Sequence, residues 1–206
     1  MSLPWGGSAG IVLMAPVATV AGAAAAAAAG ARLADAGRDG ELVPAIRRAV
    51  GGVLVCGEHE TAGVVRDPGL AARTGAALIC PGTAEAAAAV RRGIEAGRIL
   101  VQVAPAGIEA AVQAGWTVLA DLEGLADLDD PAARAEAAGA DAARAEAGAV
   151  RAEAGAVRAE ADAAVCVWLG ARVLRTRYVA EVRRSADMTE SILVRRPPAW
   201  AVRGLA

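Results

Sequence analysis

Six short apolar runs, each led by a glycine, recur about every 21 residues from the amino terminus, and a seventh follows near the end of the chain. They are Gly10-Ile11-Val12-Leu13-Met14, Gly30 to Asp35, Gly52 to Cys56, Gly75 to Cys80, Gly97 to Gln102, Gly115 to Asp121 and Gly170 to Val179. The interval is that of one short strand, one helix and two turns. A glycine fits the residue just past a helix end, where a left-handed backbone costs least without a side chain. Apolar strands alternating with helices give a parallel sheet covered on its outer faces. In the last run, alternation along an extended backbone puts Val173, Arg175 and Arg177 on one face. Two guanidiniums then lie side by side at the strand's carboxyl end, a pair that holds phosphate or carboxylate.

At 206 residues the chain buries one sizeable core, read as a single domain over residues 1–194 with a loose tail at 195–206. A formal charge of -2 gives no net basic field to steer nucleic acid, which is excluded as the main partner. The chain has no Lys, no Asn and no Phe, and all 21 basic residues are Arg, so no mechanism can draw a lysine or asparagine from it. Cys56, Cys80 and Cys166 form no CxxC pair or other metal spacing, so no metal site is expected and a reduced, cytoplasmic setting is the simple reading. Cys56 and Cys80 each end an expected strand, which would let them approach at the mouth of the sheet. Residues 1–31 carry no charge, but they lack a basic leader and are interrupted by Pro16 and Gly22, so neither a signal peptide nor a membrane span is expected.

Along the chain, Asp39 is placed to cap a helix burying Leu42, Val43, Ile46 and Val50, and Asp67-Pro68 marks a turn or helix start. His59, the only histidine, has carboxylates on both sides, yet no nucleophile or second ligand is spaced to work with it; it reads as a solvated loop residue. Thr83 is positioned to cap a helix reaching Gly97 with Val90 and Ile94 buried, and Pro105 opens the next. Arg-Ala-Glu-Ala occurs at 134–137, 144–147, 151–154 and 158–161, with glycines between the later copies. Each glycine costs a helix about 1 kcal/mol relative to Ala, and the seam is mostly Ala, so residues 132–162 read as a low-complexity, Ala-rich helical insertion standing where a seventh strand is expected. A last helix follows at about 180–194.

Gly-Ala-Arg-Val-Leu-Arg-Thr-Arg-Tyr-Val before a helix resembles the last strand of dihydropteroate synthases, in which Gly-Ala-x-x-x-Arg-x-His-Asp-Val closes a (β/α)8 barrel. The resemblance extends over nearly the whole chain, through a second strand ending in Asp35 and a Gly-rich loop and through Asp121, where the family has a pterin-contacting Asp. It implies an α/β, TIM-like barrel, incomplete or distorted, with about seven parallel strands. Open strand edges in such a barrel call for covering, so a homo-oligomer is expected. The family joins 4-aminobenzoate to a pterin diphosphate ester with loss of diphosphate. By resemblance the pterin- or anion-binding residues are Asp121, Arg175, Arg177 and Asp35, the ligand is a pterin or phosphate-bearing small molecule, and no cofactor is implied. Arg177 stands where the family has His. The first-strand Asn that supports magnesium falls on Met14 or Ala15, the third-strand Asp near Cys56 and the fourth-strand Asn near Cys80, and the seventh-strand Lys has no counterpart. These departures make a catalytically degenerate binding protein the expected function. The alternatives are an active synthase and a non-enzymatic structural or regulatory subunit that binds a partner through its helical insertion or an open barrel edge.

Overall fold

The computed structural model describes residues 3, 5, 10–122, 143–193 and 195, with backbone alone for 143–152. Eight parallel strands form a closed barrel in chain order: β1 (Val12–Pro16), β2 (Leu33–Asp35), β3 (Leu54–Cys56), β4 (Val64–Val65), β5 (Ala77–Cys80), β6 (Ile99–Gln102), β7 (Thr117–Asp121) and β8 (Val173–Arg175). β8 pairs with β1 through Val12–Val173 and Met14–Arg175, which closes the ring. The helices are α1 (Val20–Ala28), α2 (Leu42–Ala49), α3 (Pro68–Thr74), α4 (Thr83–Arg91), α5 (Pro105–Gln113), α6 (Ala143–Trp168) and α7 (Val179–Ile192).

All seven glycine-led runs supply strands, and Gly30, Gly52, Gly75, Gly115 and Gly170 take the left-handed backbone expected past a helix end. Gly97 does not. α4 stops at Arg91, Gly93 is the left-handed residue (φ 89°), and Gly97 lies in a 3-10 turn leading into β6. α4 consequently buries Ala86 and Ala89 and leaves Val90 exposed, with Ile94 buried just beyond the helix. Gly82 precedes α4, so Thr83 is its first residue and makes no capping bond. Asp39 accepts from the N–H groups of Glu41 and Leu42, and Asp67 from that of Leu70, as their positions predict.

The eighth strand is β4, two residues inside what reads from sequence as a connection. It pairs with β3 at Cys56–Val64 and with β5 at Val64–Ala77 and Val65–Leu78. Residues 57–63 link β3 to β4 without a helix, beside a cavity of about 900 Å³ at the amino-terminal ends of β3, β4 and β5. The segment between β7 and β8 therefore replaces no strand. The repeats at 144–147, 151–154 and 158–161 belong to α6, which runs unbroken through the apolar stretch to Trp168 and packs on α7. Residues 123–142, which include the first repeat, lie outside the described residues, as does all of the tail except Arg195. Because the barrel closes, it has no open strand edge, so neither the edge argument for a homo-oligomer nor the docking of a partner on a barrel edge has a basis in the sheet.

Alternation sorts the side chains. Val12 and Met14, Leu33, Cys56, Val64, Ala77 and Ile79, Leu100, Leu119 and Val173 fill the barrel interior together with Trp5, while the other faces pack under the helices. Cys56 is thus inside and Cys80 outside among the helix-facing residues, so the two cysteines do not meet. At the amino-terminal end, the buried Glu190 carboxylate of α7 accepts from the Ile11 N–H at 3.2 Å and faces Arg172 at 3.8 Å. Arg183 donates to the carbonyls of Ile11 and Gly30. Among the described residues, no helix is long and apolar enough to cross a membrane, and no cluster of His, Cys, Asp and Glu has the geometry of a metal site.

Candidate functional site

Two residues after an inward-facing apolar side chain, five strands present a polar one at the carboxyl-terminal rim. Asp35 follows Leu33, Arg66 follows Val64, Gln102 follows Leu100, Asp121 follows Leu119 and Arg175 follows Val173. Register brings neighbours level: Asp35 pairs with Cys56 across β2 and β3, and Asp121 with Arg175 across β7 and β8. The rim is consequently one connected group. Arg66 donates through Nη1 to Asp35 Oδ1 at 3.1 Å and through Nη2 to Oδ2 at 2.9 Å. Arg175 donates through Nε to Asp35 Oδ2 at 2.8 Å and through Nη1 to both Asp121 oxygens at 3.2 Å. Gln102 Nε2 donates to Asp121 Oδ2 at 3.3 Å.

Burial sets the electrostatics. The Asp35 side chain is 2% exposed, against 22% for Arg175, 20% for Asp121 and 36% for Arg66. Burial by itself would raise the Asp35 pKa; the hydrogen bonds and charges of Arg66, and then of Arg175, outweigh it and hold the carboxyl below its usual value. Burial pulls both guanidiniums toward the neutral form, but their bonds to Asp35 prevail and push their pKa values up. Burial and the neighbouring Asp35 charge push the Cys56 thiol up to about 12, so it is no thiolate at neutral pH even with Arg66 Nη1 at 3.4 Å from its sulfur.

Of the four side chains singled out from sequence, Asp35, Asp121 and Arg175 converge. β8 ends at Arg175, and Arg177 lies exposed in the following bend, its guanidinium 5.9 Å from the centre of the Tyr178 ring. The alternation that would set it beside Arg175 has stopped there. His59 sits in the β3–β4 loop with Nδ1 accepting from the Thr61 N–H at 3.1 Å, a local turn contact. Arg66 and Gln102 were not singled out; the signal for both is a polar residue two positions beyond an inward apolar one, hidden at Arg66 by the brevity of β4.

A closed eight-stranded parallel barrel whose polar side chains gather at the carboxyl-terminal rim belongs to the (β/α)8 class, whose sites lie at that rim. Within that class the fold is that of the dihydropteroate synthases. The chain superimposes on the Mycobacterium tuberculosis protein Rv1207 with a TM-score of 0.65 and 21% identity, covering 91% of this chain and 93% of that one. It superimposes on the Yersinia pestis dihydropteroate synthase bound to a pterin–sulfa conjugate with a TM-score of 0.67 and 14% identity, covering 92% and 96%. For the Xanthomonas albilineans enzyme in complex with 7,8-dihydropteroate the TM-score is 0.64 at 17% identity, covering 91% and 94%. No protein-family model matches the sequence, and no curated protein matches it.

The observed barrel renumbers the family positions. Its fourth strand leads to Arg66, while Cys80 ends the fifth. The sixth ends at Gln102, and Asp121 ends the seventh, the strand on which the resemblance gives the family a lysine.

Proposed function

We propose that the protein is a catalytically degenerate, dihydropteroate-synthase-like barrel that binds a pterin or a phosphate-bearing small molecule at its carboxyl-terminal rim. The observation that carries this reading is the joining of Asp35, Asp121 and Arg175, from three strands and up to 140 residues apart, into one hydrogen-bonded group. Carboxylates there can accept from the N–H groups of a ring, and a guanidinium can hold an anion. The same bonds argue for weak binding, because Arg175 already neutralises two carboxylates and an incoming anion must compete with them. Three buried, unpaired cysteines support a cytoplasmic setting. Val165 and Trp168 on α6 and Met188 and Ile192 on α7, large apolar side chains left exposed, favour the partner-binding alternative.

Calorimetric titration with a pterin diphosphate tests the proposal. A dissociation constant on the order of 1 mM, about -4 kcal/mol, is expected. Absence of detectable heat at millimolar ligand would overturn it.

A further inference from the structure

We infer that the Asp35 carboxylate is a seat for the paired N–H donors of a cyclic guanidine, the group carried by the 2-amino-4-oxopyrimidine ring of a pterin, and that Arg66 holds this seat when no ligand is bound. The choice of pterin rests on the proposed function; the seat does not.

An ionised carboxylate offers about four acceptor directions, and at Asp35 all are taken. Oδ1 accepts from Arg66 Nη1 and, at 3.1 Å, from the Gly37 N–H; Oδ2 accepts from Arg66 Nη2 and Arg175 Nε. A ligand reaches Asp35 only if one donor leaves. Gly37 donates from the backbone, and Arg175 is also held by Asp121. Arg66 is the most exposed of the four rim charges, follows a two-residue strand and, among the described residues, has a contact to the Cys56 sulfur as its only other hydrogen bond. Arg66 is therefore the donor that yields. Its departing guanidinium enters water with its charge intact, while the carboxylate left behind stays paired with Arg175.

What replaces it must bring the same pattern, two parallel N–H donors on one planar edge, because both carboxylate oxygens lose a partner together. A free guanidinium, an amidine or a cyclic guanidine meets that demand. An ammonium, a point charge with freely rotating donors, does not. Arg66 competes from within the same molecule at an effective concentration on the order of millimolar, so removing it should tighten binding of a guanidine-bearing ligand about tenfold or more.

The test compares wild type with Arg66→Ala. Pterin should bind the variant at least about tenfold more tightly. Millimolar methylguanidinium should raise the variant's Tm, methylammonium should not, and neither should raise that of wild type. Arg66→Lys, which keeps the cation without the fork, gives a second variant with the same expected pattern if the alanine variant does not fold. Should wild type bind pterin diphosphate while the variants gain neither pterin affinity nor methylguanidinium stabilisation, the seat is refuted and the proposed function stands. If neither form binds pterin but methylguanidinium alone stabilises the variants, the seat stands and the pterin reading falls.

Discussion

Asp35→Ala is expected to lower stability by about 3 kcal/mol and the Tm by roughly 10 °C. Removing one member of a buried ion pair strands its partners, and here a single carboxylate faces two guanidiniums. The low end of the usual 3–5 kcal/mol range applies because both cations are partly exposed and water can reach them. Acid should have the same effect on wild type. The folded-state pKa of Asp35 lies below its unfolded value of about 3.9, so this stabilisation is complete above that pH and is lost as pH falls through the folded pKa. Acid unfolding followed by circular dichroism should therefore be steeper in wild type than in Asp35→Asn, which has nothing to protonate. Parallel curves would mean that Asp35 is not held ionised by its two arginines.

Purified protein supplied with a pterin diphosphate and 4-aminobenzoate is expected to form no dihydropteroate above the uncatalysed background. Several orders of magnitude separate that result from a working synthase, since single preorganised donors are each worth about a hundredfold or more. The chain contains no lysine or asparagine to supply them. Met14, near where the resemblance sets a magnesium-supporting Asn, is buried in the apolar interior, and the seventh strand ends in Asp121 instead of a lysine. Arg175, which the resemblance matches to an anion-binding Arg, is bonded to two carboxylates. Chromatographic detection of product would restore the active-synthase alternative.

The barrel was legible because its punctuation is local. A glycine after a helix and an apolar run after the glycine are both set by backbone sterics, and at Gly30, Gly52, Gly75, Gly115 and Gly170 local rules and the fold agree. Gly97 misled because a 3-10 turn intervenes and Gly93 had already ended the helix. β4 escaped notice because two residues carry no measurable alternation and no helix precedes them. Losing β4 also hid Arg66 and shifted the later strands by one, which put Asp121 on the sixth strand instead of the seventh. At the site, Asp35, Asp121 and Arg175 were found through residue type and strand-end position. Their partners could not be, because which rim charges meet depends on barrel stagger, and stagger is fixed only when all eight strands are counted. Arg177 was misplaced for a simpler reason: β8 stops two residues earlier than its apolar pattern implies.

In the unliganded protein the rim's charged groups hold one another. Nitrogen-15 NMR of the arginine Nε–H groups at pH 6 tests this most directly, with the Arg175 signal assigned by its disappearance in Arg175→Lys. A slowly exchanging Arg175 Nε–H, bonded to Asp35 at 2.8 Å and lost in Asp35→Asn, is the predicted result. An Arg175 signal that exchanges as fast as those of exposed arginines, and does not respond to Asp35→Asn, would contradict the account.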